Sequence, residues 1–273
     1  MSGPHAFRAP ADARFSSGGR WRFDSAPHTP WQNQIIAALP REDYERLLPD
    51  LEPVSLSQGS TLYGAGDRKK HVYFLTAGIV SRLYVLENGD SAEFAVTGSE
   101  GAIGVASFLS GDSTPSQALV LGAGYAYRLG ADLLKDEFEH DRPLPHLLMR
   151  YIQALIAQTG QIAVCNRHHT LEQRLCRWIL SCLDRLPSND LAMTQELIAA
   201  MLGVRREGIT EAAGRLQQAG LIHYSRGHIR VLDRPQLEAQ ACECYEVVKR
   251  EYDRLLTQKD TIGAGGTRTC TYS

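Results

Sequence analysis

Residues 194–232 read TQELIAAMLGVRREGITEAAGRLQQAGLIHYSRGHIRVL, and two short apolar periods separated by a glycine decide how this part of the chain folds. Leu197, Ile198, Met201 and Leu202 form one apolar face, with Thr194 placed as the N-cap. Gly203 supplies a tight turn, and Val204 is the apolar plug between two helices. The second helix places Ile209, Ala212, Ala213 and Leu216 at i, i+3, i+4 and i+7, and Gly220 ends it. LIHYSRGHIRVL then reads as a small hairpin turning at Ser225-Arg226-Gly227. The pattern is a helix-turn-helix followed by a wing.

The polar faces carry the chemistry. Arg205, Arg206, Glu207, Thr210, Glu211 and Arg215 lie opposite the buried face of the second helix, most of them in its first two turns. A recognition helix aims that end into the major groove. There an arginine grips guanine O6 and N7 together, and a glutamate accepts from cytosine N4. Thr194 and Gln195 open the first helix beside it, and Arg226 at the hairpin tip suits a phosphate. Residues 201–235 hold six arginines against Glu207, Glu211 and Asp233, in a chain whose formal net charge is −2. Positive charge is therefore local to this segment, as a duplex-binding surface requires. The expected partner is double-stranded operator DNA.

Outward from this segment, the 273 residues suffice for more than one compact unit, and 43% hydrophobic with 22% charged residues is an ordinary globular balance. No apolar run of membrane-spanning length occurs, and the Arg-bearing residues 1–30 lack the apolar core of a secretory signal. The expectation is a cytoplasmic protein with a disordered leader at 1–30. Residues 31–135 begin with short helices broken at Pro40. They continue as short apolar or alternating runs punctuated by Gly59, Gly66, Gly78, Gly89 and Gly104, a β-barrel or sandwich pattern with a tight hairpin at Asn88-Gly89. Residues 136–168 become helical, starting in earnest at Pro143 and Pro145. There Leu148, Ile152, Leu155, Thr159 and Ile162 repeat at coiled-coil spacing, which predicts a dimer interface. A helix over about 171–186 leads into the winged unit at 169–235, and 236–273 holds a further helix and a flexible tail. The expected class is α+β.

Six cysteines, Cys165, Cys176, Cys182, Cys242, Cys244 and Cys270, form no CxxC pair, and the Cys242-x-Cys244 spacing is poor for zinc. Reduced, mostly buried thiols and no metal or cofactor are expected. No nucleophile–base pair, phosphate loop or metal motif marks an enzyme.

Taken together, two stretches resemble the Crp/Fnr family of bacterial transcription regulators. One is LSQGSTLYGAGDRKKHVYFLTAGIVSRLYVLENGD with GAIGVASFL, similar to the family's cyclic-nucleotide-binding β-roll; the other is the helix-turn-helix and wing. The resemblance covers about residues 32–235. It implies a homodimer on a near-palindromic operator, a β-roll sensor that reorients the DNA-binding units through the long helices, and RNA polymerase as a further partner. Arg206 and Glu207 match the family's base-reading Arg-Glu pair. Glu211 stands where several members carry a second arginine, so a different half-site is implied. The effector pocket would be lined by Gly104, Val105, Ser116, Gln117 and Thr159. Val105 replaces the ribose-holding glutamate of cyclic-nucleotide binders, and Thr114-Pro115-Ser116-Gln117 lacks their phosphate-binding arginine. A buried phosphate without a cation is costly, so the expectation is a mostly neutral pocket with another effector or none. There is no N-terminal cysteine group for an iron–sulfur cluster. His71, His146, His168 and His169 are haem ligands by type only and read as surface residues. The rival reading is a cyclic-nucleotide-binding signalling protein whose output is not DNA; the arginine-bearing helix and wing argue against it.

Overall fold

The computed structural model describes residues 28–68, 70–105 and 113–256. Most of the expected leader, the end of the AIGVASFL run, the tail and Cys270 lie outside them.

The chain enters through a 3₁₀ turn and two short helices, α1 (Gln34–Ala37) and α2 (Arg41–Leu47). Asn33 fastens them to the sheet. Its side chain accepts from the Ile35 and Ile36 amides and donates to the carbonyls of Leu75 and Gly101 at 2.9 and 2.8 Å, wholly buried. The β-roll follows as β1 (Glu52–Leu56), β2 (Thr61–Tyr63), β3 (His71–Val85), β4 (Ser91–Thr97), β5 (Ala102–Ile103) and β6 (Gln117–Gly130). All pairings are antiparallel, in the order β1-β6-β3-β4, with β2 on β6 and β5 on β3.

Two punctuating glycines behave differently from the sequence expectation. Gly78 does not end a strand. It sits inside the 15-residue β3, at φ +90°, amid bulges in the pairing with β6. A Cβ there would meet the Gly122 and Ala123 carbonyl oxygens at 2.7 and 2.8 Å. The glycine bends two long strands together and lets them continue. At Asn88-Gly89 only Gly89 has positive φ. Asn88 accepts from the Asp90 amide instead, and the connection is a longer loop closed by the Leu86 amide on the Asp90 carbonyl.

Helix α3 (Ala131–Glu139) follows β6 directly, and α4 (Pro143–His168) is the long helix, 26 residues or about 39 Å. The expected unit at 136–168 is thus two helices broken at 140–142. His169 and Thr170 lead into α5 (Leu171–Leu183), which Thr170 caps by accepting from the Gln173 amide. The winged unit adds β7 (Asp190–Ala192), α6 (Gln195–Leu202), α7 (Arg206–Gln218), β8 (Ile222–Ser225) and β9 (His228–Val231), the strands ordered β7-β9-β8. Sequence reasoning missed β7, which is three residues long and follows a Pro-Ser-Asn-Asp break. Helices α8 (Arg234–Gln240) and α9 (Cys244–Leu256) close the described chain.

Leu171, Leu175, Trp178, Ile179, Cys182 and Leu183 repeat at the spacing of one apolar face, but the structure buries nearly the whole circumference of α5, including Cys176, Arg177 and Leu180. The reason is its position. One core joins Ile79, Leu83, Val96, Leu119 and Leu121 of the β-roll to Trp178, Ile179, Leu197, Met201, Ile209 and Leu216 of α5 and the winged unit. The β-roll and the winged unit are packed as one body. Polar contacts cross the same boundary: Trp178 Nε1 donates to Glu93 at 3.0 Å, Ser91 to the Ala200 carbonyl at 3.1 Å, and Gln58 to the Ala192 carbonyl at 3.0 Å.

Candidate nucleic-acid interface

Thr194 caps α6 as its sequence position requires, accepting from the Leu197 amide at 3.3 Å. Gly203 ends α6 in the left-handed region at φ 63°, ψ 44°. A side chain there would be strained, and its Cβ would press Ala92 of the β-roll at 3.3 Å. Half-buried Val204 packs against the core as the plug. Arg205 is the N-cap of α7, so Arg206 and Glu207 occupy its first turn. Ile209, Ala212, Ala213 and Leu216 are buried, which turns Arg206, Glu207, Thr210 and Glu211 outward. Gln195 links the two helices, its side-chain oxygen accepting from Thr210 Oγ1 at 2.8 Å.

The wing tip is a two-residue turn, Arg226-Gly227, with φ of 49° and 79°. A non-glycine residue at positive φ is uncommon, and here it carries the exposed Arg226 side chain outward from the hairpin. The wing packs beside α7. Tyr224 of β8 donates its amide to Gln217 Oε1 at 2.7 Å and its hydroxyl to the Met193 carbonyl at 3.3 Å. Burial raises the Tyr224 hydroxyl above its ordinary range, against the lowering effects of a hydrogen bond with the Gln195 backbone and the charge of Arg206.

The six arginines of this segment divide into two sets. Arg215 donates to Glu172 at 2.6 Å, Arg230 to Asp190 at 2.8 Å, and Arg234 pairs with Asp184 and Glu238. Arg215, expected on the DNA face, is therefore drawn to the start of α5. Arg205 and Arg226 have no acidic partner among the described residues, and Arg206 only approaches Glu196 at 4.0 Å. The unspent cations are at the N-terminus of α7 and at the wing tip. That geometry suits insertion of a helix end into a major groove with the wing on the flanking backbone.

Comparison with known proteins agrees with this geometry. A Crp-like helix-turn-helix domain model matches residues 173–240, and a cyclic nucleotide-binding domain model matches residues 53–141. Curated relatives include the global nitrogen regulator of Synechococcus elongatus, 24% identical over 199 residues that span 70% of this chain and 90% of that protein. The fumarate and nitrate reduction regulatory protein of Salmonella typhi is 24% identical over 195 residues, 68% of this chain and 77% of that protein. Among solved structures, FixK2 from Bradyrhizobium japonicum superposes with a TM-score of 0.61 at 17% identity, covering 70% of this chain and 98% of that one. A Crp/Fnr-family regulator of Thermus thermophilus gives 0.55 at 23% identity, covering 70% and 98%. This chain is a Crp/Fnr-type DNA-binding transcription regulator. Among its described residues no helix is long and apolar enough to cross a membrane.

In this regulator the expected effector-pocket residues meet a charge that the sequence did not reveal. Ser116 and Gln117 are buried at the start of β6, and Val105 is 7% exposed after Gly104. Thr159 turns its hydroxyl back onto the Leu155 carbonyl of its own helix. The expectation of a mostly neutral interior fails at Arg82 of β3, which is 4% exposed. Its guanidinium donates to Thr97 Oγ1 at 2.8 Å and Tyr151 Oη at 2.7 Å, and its Nε has no partner. The β3–β6 register pairs Arg82 with Ala118 and Leu83 with Gln117, so Arg82 stands across from the start of β6, next to Ser116. A motif search could not find Arg82, because its inward direction depends on the bulged register of β3.

The expected dimer seam of this regulator also needs correction. Leu148 and Ile162 are 0% and 5% exposed within a single chain, covered by the protomer's own residues. Ile152, Leu155 and Thr159 are half-buried, whereas Met149 and Ile156 are 41% and 66% exposed. Helix α9 covers part of α4: Tyr252 donates to Gln158 at 3.1 Å, and Arg150 donates to the Leu255 carbonyl at 2.8 Å. Of the four histidines considered by type, His146 and His168 are exposed. His169 is not a surface residue; it stands at the end of α4 beside Cys165, Cys242 and Cys244.

Proposed function

We propose that this regulator binds a near-palindromic operator as a homodimer, reading bases with Arg206 and Glu207 and holding backbone phosphates with Arg205 and Arg226. The carrying observation is the sorting of the arginines. Those left without a close acid cluster at the N-terminus of α7 and the wing tip, where a groove-reading helix contacts DNA. Two copies would meet along Met149, Ile152, Ile156, Thr159 and Ala163 of α4, a 3-4-3-4 stripe left uncovered or half-covered by the protomer. Partners of this assembly are operator DNA, a second copy of the chain and RNA polymerase.

The deciding experiment is selection from a random duplex pool. The expected product is an inverted repeat with half-site centres about 10 bp apart, or a multiple of that. Enrichment of a single unrepeated half-site would overturn the dimeric reading, and no enrichment would overturn the base-reading one.

The sensor does not take a cyclic nucleotide in the family's usual pose. Support comes from Val105 at the ribose position, the neutral Ser116 and Gln117, and the engagement of Arg82 by Thr97 and Tyr151. Calorimetry with cyclic AMP and cyclic GMP at millimolar concentration should show no binding. A dissociation constant near ~1 μM, about −8.2 kcal/mol, would mean that Arg82 or another group holds the phosphate after all.

A further inference from the structure

Four soft or borderline ligands converge where α4 ends, away from both the DNA-reading surface and the β-roll interior. Cys165 and His169 are four residues apart, so one turn of α4 and its C-cap bring them to the same side. Cys242 and Cys244 arrive from the α8–α9 connection, Cys244 being the first residue of α9. The four ligand atoms all lie within 4.8 Å of one another. Cys165 Sγ is 3.5 Å from Cys242 Sγ, and Cys244 Sγ is 3.4 Å from His169 Nδ1.

These distances select among the chemistries open to three thiols and an imidazole. A disulfide requires sulfurs about 2.05 Å apart, and the nearest pair is well outside that. A tetrahedral ion with metal–sulfur bonds of about 2.3 Å and metal–nitrogen bonds of about 2.1 Å holds its ligand atoms roughly 3.5–3.8 Å from each other. An iron–sulfur cluster, with thiolates on separate irons, would need them farther apart. Two of the pairs here stand at 3.5 and 3.4 Å and all lie within 4.8 Å, which suits a single ion better than a disulfide or a cluster.

The surroundings are those of a supported site. Cys165, Cys242 and Cys244 form a buried group of their own, apart from the larger apolar cores. With His169 Nδ1 turned to the sulfurs, Nε2 lies 3.3 Å from Glu243 Oε2. A carboxylate on the far nitrogen is the usual means of orienting a ligating histidine. Gln161 donates to Cys244 Sγ at 3.1 Å. Three thiolates and a neutral imidazole leave a divalent ion with one net negative charge. Arg177, 5% exposed with Nε unpartnered, sets a positive charge against Cys165.

We propose that Cys165, His169, Cys242 and Cys244 form a Cys3His site for one zinc ion, which fastens the start of α9 to the junction between α4 and α5. That junction is His169 and Thr170 alone, the covalent passage from the long sensor helix to the winged unit. The ion would fix the angle at which the winged unit leaves α4. The ligands come from two segments more than 70 residues apart, so the site closes only when α9 has docked.

The test uses the full chain, purified reduced; one portion is kept as isolated, and the other is stripped of metal with a chelator that is then removed, and titrated anaerobically with cobalt(II) as the spectroscopic substitute. One equivalent should bind per chain. Tetrahedral d–d bands and sulfur-to-cobalt charge transfer should appear, and zinc should displace both. Cys165→Ser and Cys242→Ser should lose the tetrahedral spectrum, whereas Cys270→Ser should leave it unchanged. Glu243→Gln should weaken the metal about tenfold or more while keeping the spectrum. Because a ligand variant could fail to fold, the wild type supplies an independent reading. Cys165, Cys242 and Cys244 should resist alkylation until a chelator is added, with Cys176 and Cys182 unaffected by the chelator. Absence of cobalt uptake by the folded, reduced chain would overturn the proposal. So would a spectrum that survives in both serine variants, a Cys165–Cys242 disulfide that fails to take up metal once reduced, or iron and acid-labile sulfide in the isolated protein.

Discussion

Arg206 and Arg226 are both exposed arginines on the same face, yet they should fail differently. Arg206 opens α7, and the base contact proposed for it is one in which a bidentate pair discriminates by about 1–3 kcal/mol. Arg206→Ala is therefore expected to cost that much on the selected site and to relax preference at one position. Arg226 sits on the wing turn, where the contact proposed for it is to phosphate, so Arg226→Ala should weaken specific and random duplex alike and lower the salt slope by about 1. Mobility shifts on both DNAs across a salt series separate the two, and equal losses for Arg206→Ala would deny it a base. The cluster of six arginines was legible in the sequence. Which of them stay free was not, because Glu172, Asp190 and Asp184 reach Arg215, Arg230 and Arg234 from other elements. The same limit hid the ligands around Cys244. Each half of that site is a weak local signal, and only the docking of α9 on α4 joins them.

Helix α4 carries two apolar stripes at coiled-coil spacing, and periodicity alone cannot say which one faces a partner. The stripe through Leu148 and Ile162 is covered by the protomer itself. The adjacent stripe through Met149 and Ile156 is left open. The two stripes share Ile152 and Thr159, and the remaining positions move by one residue, about 100° around the helix, which accounts for the mixed outcome along the seam. Ile156→Glu should leave the fold intact and give monomers by sedimentation, with loss of operator binding. Leu148→Glu should instead unfold the chain, since it places an unpaired charge at a fully buried site. A folded, dimeric Ile156→Glu variant would move the interface off this face. Elements with long-range consequences but short sequence, such as β7, escaped periodicity altogether, while α6 and α7 were legible because each buries an apolar face at helical spacing.

At the scale of the whole molecule, the decisive feature is the core shared between β-roll and winged unit, and Glu93 is the buried carboxylate at its boundary. Its carboxylate accepts from Trp178 Nε1 and is 5% exposed at the boundary of β4 and α5. Burial raises its pKa from 4.5 to about 7, against the lowering effects of a Ser81 hydrogen bond, the Arg177 charge, the Trp178 hydrogen bond and the Arg185 charge. The packed state therefore favours the neutral acid. Below about pH 4.5 the group is protonated whether or not the core is formed, and its contribution to stability is fully present. Between 4.5 and 7 the opened chain releases the proton that the packed chain keeps, so stability falls as pH rises and levels off above 7. A shift of this size corresponds to at most about 3 kcal/mol. Glu93→Gln keeps an acceptor for Trp178 and removes the titration. Its denaturation midpoint is expected to vary less than that of the wild type between about pH 5 and 8, and to exceed it at about pH 8. A wild type whose stability instead rises through this window, with Glu93→Gln following the same curve, would mean that the carboxylate is already ionised within the shared core. In that case Arg177 of α5 and Arg185 just beyond its end would outweigh burial.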